Sequence, residues 1–303
     1  MRCLAALLLL TPLLAACGGS SDEGDGSLPS RRGPTLDELA DRPGSDVALV
    51  AGTQDHARGP VRFSFLVLDG TGRPVDRPRA RVWIAEARDG VPFLETSARL
   101  EPVGVPGGYE DDHGVTHLYV ANVEIASAGT FWVLAEPIGG RIQALGNLVV
   151  KDESAAPAVG SKAFPSRTPT LGDAPIGQLT TRVPPDRELL RYSVAESLKA
   201  GKPFVVTFAT PKFCSSRTCG PVVDVVDRVR RNVREPDVRF IHVEIYERNE
   251  PALGVNEWVE EWQLPSEPFT FLVGRDGRIA AKFEGSVSVA ELTAAVRRHL
   301  VRR

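Results

Sequence analysis

Two cysteines, Cys214 and Cys219, stand with four residues between them in Phe213-Cys214-Ser215-Ser216-Arg217-Thr218-Cys219-Gly220. A thiolate is both a nucleophile and a soft metal ligand, and two thiols this near along the chain can cycle between dithiol and disulfide. Val222, Val223, Val225, Val226 and Val229 fall on one stripe and predict a helix from about Ser216 to Asn232. A cysteine just ahead of a helix faces unpaired backbone N–H groups, whose partial positive charge favours thiolate over thiol. Cys214 has that position, and Lys212 and Arg217 either add to the field or point into solvent. A helical rise of about 1.5 Å and a turn of ~100° per residue would align the two sulfurs poorly, so the residues between them must loop before the helix settles. As an inert crosslink the pair would close a six-residue ring worth roughly 2 kcal/mol, less than a wider loop gains.

The elements that must hold this pair begin with Arg187 to Ala200, read as a short helix ending at Gly201, and Phe204 to Ala209, an apolar β-prone run. After the Ser216–Asn232 helix come a strand over Arg239 to Tyr246 and a helical pattern over Val255 to Trp262. Strands over Phe269 to Val273 and Ile279 to Phe283 flank the turn Gly274-Arg275-Asp276-Gly277, and an amphipathic helix closes the chain over Val289 to Leu300. The order β-α-β, then β-β-α, predicts an α/β domain with a mixed central sheet flanked by helices.

From about Asp186 to Arg303 the chain resembles the thioredoxin superfamily. The resemblance rests on Pro203-Phe204-Val205-Val206-Thr207-Phe208-Ala209-Thr210-Pro211-Lys212-Phe213-Cys214, on Pro268-Phe269-Thr270-Phe271-Leu272-Val273, and on Asp276-Gly277 followed by Phe283-Glu284-Gly285. It implies that Cys214 is the nucleophile, that Cys219 resolves the mixed disulfide, and that Pro268 is the cis-proline beside which an extended substrate strand pairs. Pro265 competes for the cis position but does not lead directly into the strand. Two features depart from the family: four residues separate the cysteines where two are common, and Phe208 occupies the position where many members bury an acid. Proton transfer then falls to water, to Glu267 or to a group elsewhere, with Glu267 either near the thiols or an exposed loop acid.

Ahead of this domain, Asp46 to Lys151 alternates short apolar runs with turn signals, as in Val61-Arg62-Phe63-Ser64-Phe65-Leu66-Val67-Leu68 before Asp69-Gly70-Thr71-Gly72. The spacing suits an all-β sandwich, and Ala128-Gly129-Thr130-Phe131-Trp132 resembles bacterial immunoglobulin-like domains. Residues 152–186, rich in Pro, Ala, Ser, Thr and Gly, read as an extended interdomain linker, and 187–303 as the thioredoxin-like domain. Met1-Arg2 and the apolar run Leu4 to Ala16 read as a signal peptide, too short for the ~20 residues of a membrane span. Leu14-Ala15-Ala16-Cys17-Gly18 resembles the lipobox of bacterial lipoproteins, which implies lipidation at Cys17 and a mature chain tethered by a flexible polar stretch, residues 17–45. Such a chain is expected at the extracytoplasmic face of the cell membrane, where disulfides persist.

The resemblance points to a thiol-disulfide oxidoreductase whose partners are exported protein thiols or disulfides and a further redox protein, with no cofactor. A rival is a copper-binding chaperone resembling the Sco type, with Cys214, Cys219 and His242 as soft ligands. His242 alternates with Ile241 and Val243, where a hydrogen-bonded structural histidine is the commoner role. His113 and His117 make a weaker metal pair, and Asp111-Asp112-His113-Gly114 reads as a turn. A third reading is an interaction module in which the pair is only a crosslink. The net charge of -3 over 303 residues leaves no basic footprint for nucleic acid.

Overall fold

In a computed structural model the described residues are 33–108, 115–214 and 219–301. The expected signal peptide, most of the tether, Cys17, His113, Ser216 and Arg217 lie outside them. No helix among the described residues is long and apolar enough to cross a membrane.

The chain is rich in β-structure and forms a large curled sheet and a smaller second sheet. A short helix α1 (Leu36–Ala40) is closed by a capping box in which Thr35 and Glu38 exchange side-chain to backbone hydrogen bonds. The strands β1 (Val47–Ala51), β2 (His56–Ala57), β3 (Gly59–Asp69), β4 (Arg79–Ala85), β5 (Leu94–Pro102), β6 (His117–Ile125), β7 (Gly129–Pro137) and β8 (Ala144–Lys151) follow. They pair in the order β1-β3-β6-β5-β4-β7-β8-β2, one continuous ladder where two separate sheets were expected. The physical reason lies in β5. Its first part, Leu94 to Arg99, pairs with β4, and its last, Arg99 to Pro102, pairs with β6, so one strand passes from one layer to the other. The curl encloses an apolar core built from alternate residues such as Val61, Phe63, Phe65, Val82, Ile84, Val133 and Leu148.

Residues 152–186, expected as a free linker, are laid along the second half of the molecule. Ala156 and Ala163 are buried in its core, Ser161 and Gly160 bond the backbone of Ile279, and Ser166 accepts the Trp262 indole N–H at 2.8 Å. A short helix α2 (Ile176–Leu179) lies near the end of this segment. The helix expected over Arg187 to Ala200 is divided, a 3-10 turn over Arg187–Leu190 followed by α3 (Val194–Lys199). Ser193 separates them because its side chain caps α3 in a capping box with Glu196.

The second sheet contains β9 (Phe204–Phe208), β10 (Arg239–Val243), β11 (Phe269–Val273) and β12 (Ile279–Glu284), in the order β10-β9-β11-β12. β9 runs parallel to β10 and antiparallel to β11, and β11 is antiparallel to β12, which makes the sheet mixed. Between them lie α4 (Cys219–Val233) and α5 (Glu257–Glu261), and α6 (Val289–His299) follows. Every residue of β9 is buried because both faces are covered. Val205 and Leu272 face α4 and α6, with Val222, Val225, Val229, Leu292 and Val296. Phe204, Val206, Phe208, Phe271 and Val273 face the other way, onto Trp262, Val259 and Val194.

The two sheets are locked together by charge. Arg62 of β3 grips Glu291 of α6 at 2.9 and 3.0 Å and also donates to the Ser286 carbonyl, with the side chains only 15% and 18% exposed. Glu284 of β12 accepts the backbone N–H groups of Gln54 and Asp55. Asp55 in turn accepts those of Ala155 and Ala156 and faces Lys282, whose ammonium burial pushes below its usual range.

Candidate functional site

The β9 strand ends at Phe208, and the chain passes through Ala209 to Phe213 before reaching Cys214, which lies outside any helix and is half-buried. Cys219 opens the described part of α4 and is fully buried. The two form a disulfide with their Cα atoms 5.9 Å apart. The backbone N–H of Cys219 also donates to the Cys214 sulfur at 3.3 Å. The helix-opening amide is thus aimed at the outer sulfur, the arrangement that favours a thiolate there once the pair is reduced. The two cysteines differ in burial: Cys214 is half-buried and packs against the apolar cluster in which Cys219 sits fully buried with Val222, Val223 and Val226.

The Glu267-Pro268 peptide bond is cis, whereas the bond preceding Pro265 is not among the cis bonds of the described residues. Pro268 is buried at the start of β11, and its carbonyl accepts the N–H of Gly285 at 2.8 Å. Glu267 is half-buried. Burial and then the Glu267 charge push the Tyr246 phenol above its usual range, and the Tyr246 ring meets Phe213 edge-on with centroids 6.2 Å apart. Phe213 adjoins Cys214 in the chain, Tyr246 lies against Phe213, and Glu267 is within electrostatic reach of Tyr246. Lys212 is exposed, with its ammonium 5.1 Å from the Phe213 ring.

His242 makes hydrogen bonds within the core, as for a structural histidine. Its Nε2 bonds the Ala209 carbonyl at 2.9 Å and its Nδ1 meets the Thr180 hydroxyl at 3.3 Å, so both ring nitrogens are engaged. Burial holds the imidazole below its usual range. Among the described residues no group of three or more His, Cys, Asp or Glu side chains gathers as a metal site. His117 pairs instead with Asp76 at 3.1 Å.

Phe208, where an acid was not available, packs on Trp262 and Phe271. A buried acid nevertheless lies nearby. Glu244, 5% exposed, directly follows Val243, the cross-strand partner of Phe208. Glu244 accepts the backbone N–H and the hydroxyl of Thr181, the latter at 2.8 Å, and the same hydroxyl accepts the Lys212 N–H at 3.1 Å. A buried carboxylate thereby ties down the backbone two residues before Cys214. Sequence reasoning missed both Glu244 and Thr181, because Thr181 lies in a stretch without periodicity. The only local signal was an acid among the apolar residues Val243 and Ile245.

No family model matches the sequence, and no curated protein matches it. Among solved structures, the chain is similar to a thiol:disulfide interchange protein of the thioredoxin family from Chlorobium tepidum TLS. The identity is 15% over 50% of this chain and 100% of that one, with a TM-score of 0.28. It is also similar to E. coli alpha-2-macroglobulin, 17% identical over 45% of this chain and 8% of that one with a TM-score of 0.24, and to the Lin-41 filamin domain, 9% identical over 36% and 99% with a TM-score of 0.20. Likenesses at these scores leave the site to be read from its own geometry: a disulfide between a half-buried and a fully buried cysteine, at the junction between a buried strand and a helix.

Proposed function

We propose that this protein is a thiol-disulfide oxidoreductase acting on exported proteins, anchored at the extracytoplasmic face of the membrane through lipid on Cys17. In this reading the β10-β9-β11-β12 sheet with α4 and α6 is a thioredoxin-like domain, and the curled sheet is an immunoglobulin-like module that holds it. The observation that carries the activity is the hydrogen bond from the N–H of the fully buried Cys219 to the sulfur of Cys214, a half-buried residue.

In the reducing direction the Cys214 thiolate attacks one sulfur of a substrate disulfide, and the other substrate sulfur leaves as a thiolate. The Cys219 thiol then gives up its proton and attacks Cys214, which breaks the mixed disulfide and releases the second substrate thiolate. The two electrons gained by the substrate come from the dithiol, and a partner dithiol restores it. Run backwards, the same steps oxidise a substrate dithiol. In this reading Glu267 accepts the Cys219 proton, and Pro268 fixes the backbone against which an extended substrate segment lies.

Replacing Cys219 with Ser tests the reading: it should accumulate disulfide-linked adducts of exported proteins through Cys214, resolved by reductant. Absence of adducts in cells whose exported proteins carry both thiols and disulfides would overturn it.

A further inference from the structure

A cavity of about 200 Å³ lies where β10 ends, between α2 and α5. Drug-sized ligands take roughly 300–1,000 Å³, so a space of this size suits one long side chain. Its lining includes Glu244, which is 5% exposed. One Glu244 oxygen serves Thr181, and the other is buried with no partner among the described residues. A buried carboxylate oxygen without a donor is costly, and a donor entering the cavity would remove that cost. Tyr246 and Trp258, both half-buried, add aromatic rings to the lining, and ring faces attract cations. Glu247 is a second carboxylate there, against one guanidinium, that of the exposed Arg248. Around the cavity, Glu247 to Glu261 carries five exposed glutamates and one arginine, a field that draws cations and repels anions.

Two contacts tie this cavity to the loop that delivers Cys214. The Tyr246 ring lies edge-on against Phe213, the residue before Cys214, and the Thr181 hydroxyl that donates to Glu244 accepts the Lys212 N–H. We propose that the cavity is a recognition pocket for a cationic side chain, lysine or arginine, of the polypeptide whose cysteine exchanges with Cys214. The ammonium or guanidinium donates to the unpartnered Glu244 oxygen, its stem lies along Tyr246 and Trp258, and Glu247 adds charge at the exposed end. The preferred partners are therefore proteins with a basic residue near the reacting cysteine. The purpose of the pocket rests on the thiol-disulfide reading, whereas its affinity for a cation does not.

The test uses the full chain carrying Cys219→Ser and synthetic peptides whose single cysteine is a mixed disulfide with thionitrobenzoate. The Cys214 thiolate attacks the peptide sulfur, the new disulfide forms, and thionitrobenzoate leaves as a coloured thiolate that reports the rate. Lysine is placed in turn at each position flanking the cysteine and compared with norleucine, which keeps the four-carbon stem without the ammonium. At the best position the lysine peptide should react roughly tenfold faster at low salt, and added salt should shrink the gain. The ratio of the two peptides on one protein cancels any general change in Cys214 reactivity. Glu244→Gln should bring that ratio close to one, and Glu247→Gln, at an exposed position, should lower it in part. Equal rates at every position, or a lysine preference that survives Glu244→Gln, would overturn the pocket. If Glu244→Gln fails to fold, an undiminished ratio in Glu247→Gln and in Trp258→Leu decides against it. Should no peptide exchange at all, the oxidoreductase reading fails, and calorimetric titration with the same peptides carrying serine for cysteine judges the pocket alone. Tighter binding of the lysine than of the norleucine peptide, weakened by Glu244→Gln, supports the pocket, and equal binding overturns it.

Discussion

Thr181→Val strikes the link between the buried Glu244 and the loop that delivers Cys214. The Thr181 hydroxyl donates to Glu244 at 2.8 Å and accepts from the Lys212 N–H at 3.1 Å, so one substitution cuts both bonds while keeping the side chain's shape. A hydrogen bond to a buried carboxylate contributes about 1.5–3 kcal/mol. Lys212 is exposed, so water replaces the lost partner of its N–H and that bond adds little. Glu244 keeps the Thr181 backbone N–H, and its other oxygen has no partner among the described residues, so the cost should fall near 2 kcal/mol. Urea unfolding of the oxidised protein reads this as a lowered midpoint at unchanged slope. The double variant with Glu244→Gln should cost clearly less than the sum of the singles, because both act through the same bond. Thr181→Val should also change the alkylation rate of Cys214 in the Cys219→Ser protein, since the Lys212 tether sits two residues away. Additive stabilities, or a midpoint shift below about 0.5 kcal/mol, would show that Glu244 does not hold this loop through Thr181.

Removing the crosslink by Cys214→Ser, at the half-buried position, should cost about 2 kcal/mol against the oxidised protein, the value of a six-residue ring, and little against the reduced one. Equal unfolding midpoints for the variant and the oxidised parent would contradict this. His242 and His56 both have imidazoles held below their ordinary value chiefly by burial, so the folded chain resists their protonation. Their contribution is fully present above about pH 6.5 and is lost as the pH falls through lower values, by up to about 1.4 kcal/mol per pH unit for each proton. His242→Gln should flatten the acid limb of the stability curve, and an unchanged limb would refute the assignment. Arg62→Met leaves Glu291 without its guanidinium and should cost about 3 kcal/mol, as for a broken buried pair; chemical denaturation that moves by less than about 0.5 kcal/mol would mean the seam between the sheets is held by other contacts.

What was legible in the sequence is what local pattern encodes. The alternating run over Val61 to Leu68, the fully apolar Phe204 to Phe208 and the valine stripe of α4 announced their structures because burial of one face or two leaves a period in the chain. The turn at Gly274 to Gly277 was readable for the same local reason, and Gly277 takes the positive φ that favours glycine. Pro268 was singled out as the cis residue and is one. The rest depends on contacts between distant residues. Residues 152–186 look like a linker because Pro, Gly and Ser interrupt any period, yet their backbone and small side chains fit against Trp262 and β12. Nothing near Gly104 or Val105 signals that they meet α4 more than a hundred residues later, and nothing near Thr181 signals Glu244. The division of β5 between two neighbours, which turns two expected sheets into one curled ladder, likewise depends on partners and leaves no mark in the strand itself.

The central claim is that Cys214 and Cys219 are a working couple, and its most direct measurement is the equilibrium reduction potential of the native protein in graded thiol-disulfide buffers, scored by alkylation mass shift. A reversible two-electron transition above roughly -300 mV, with Cys214 forming the mixed species, is the expected result. A pair that stays oxidised in the folded protein until potentials well below roughly -300 mV, and opens only on unfolding, would contradict it.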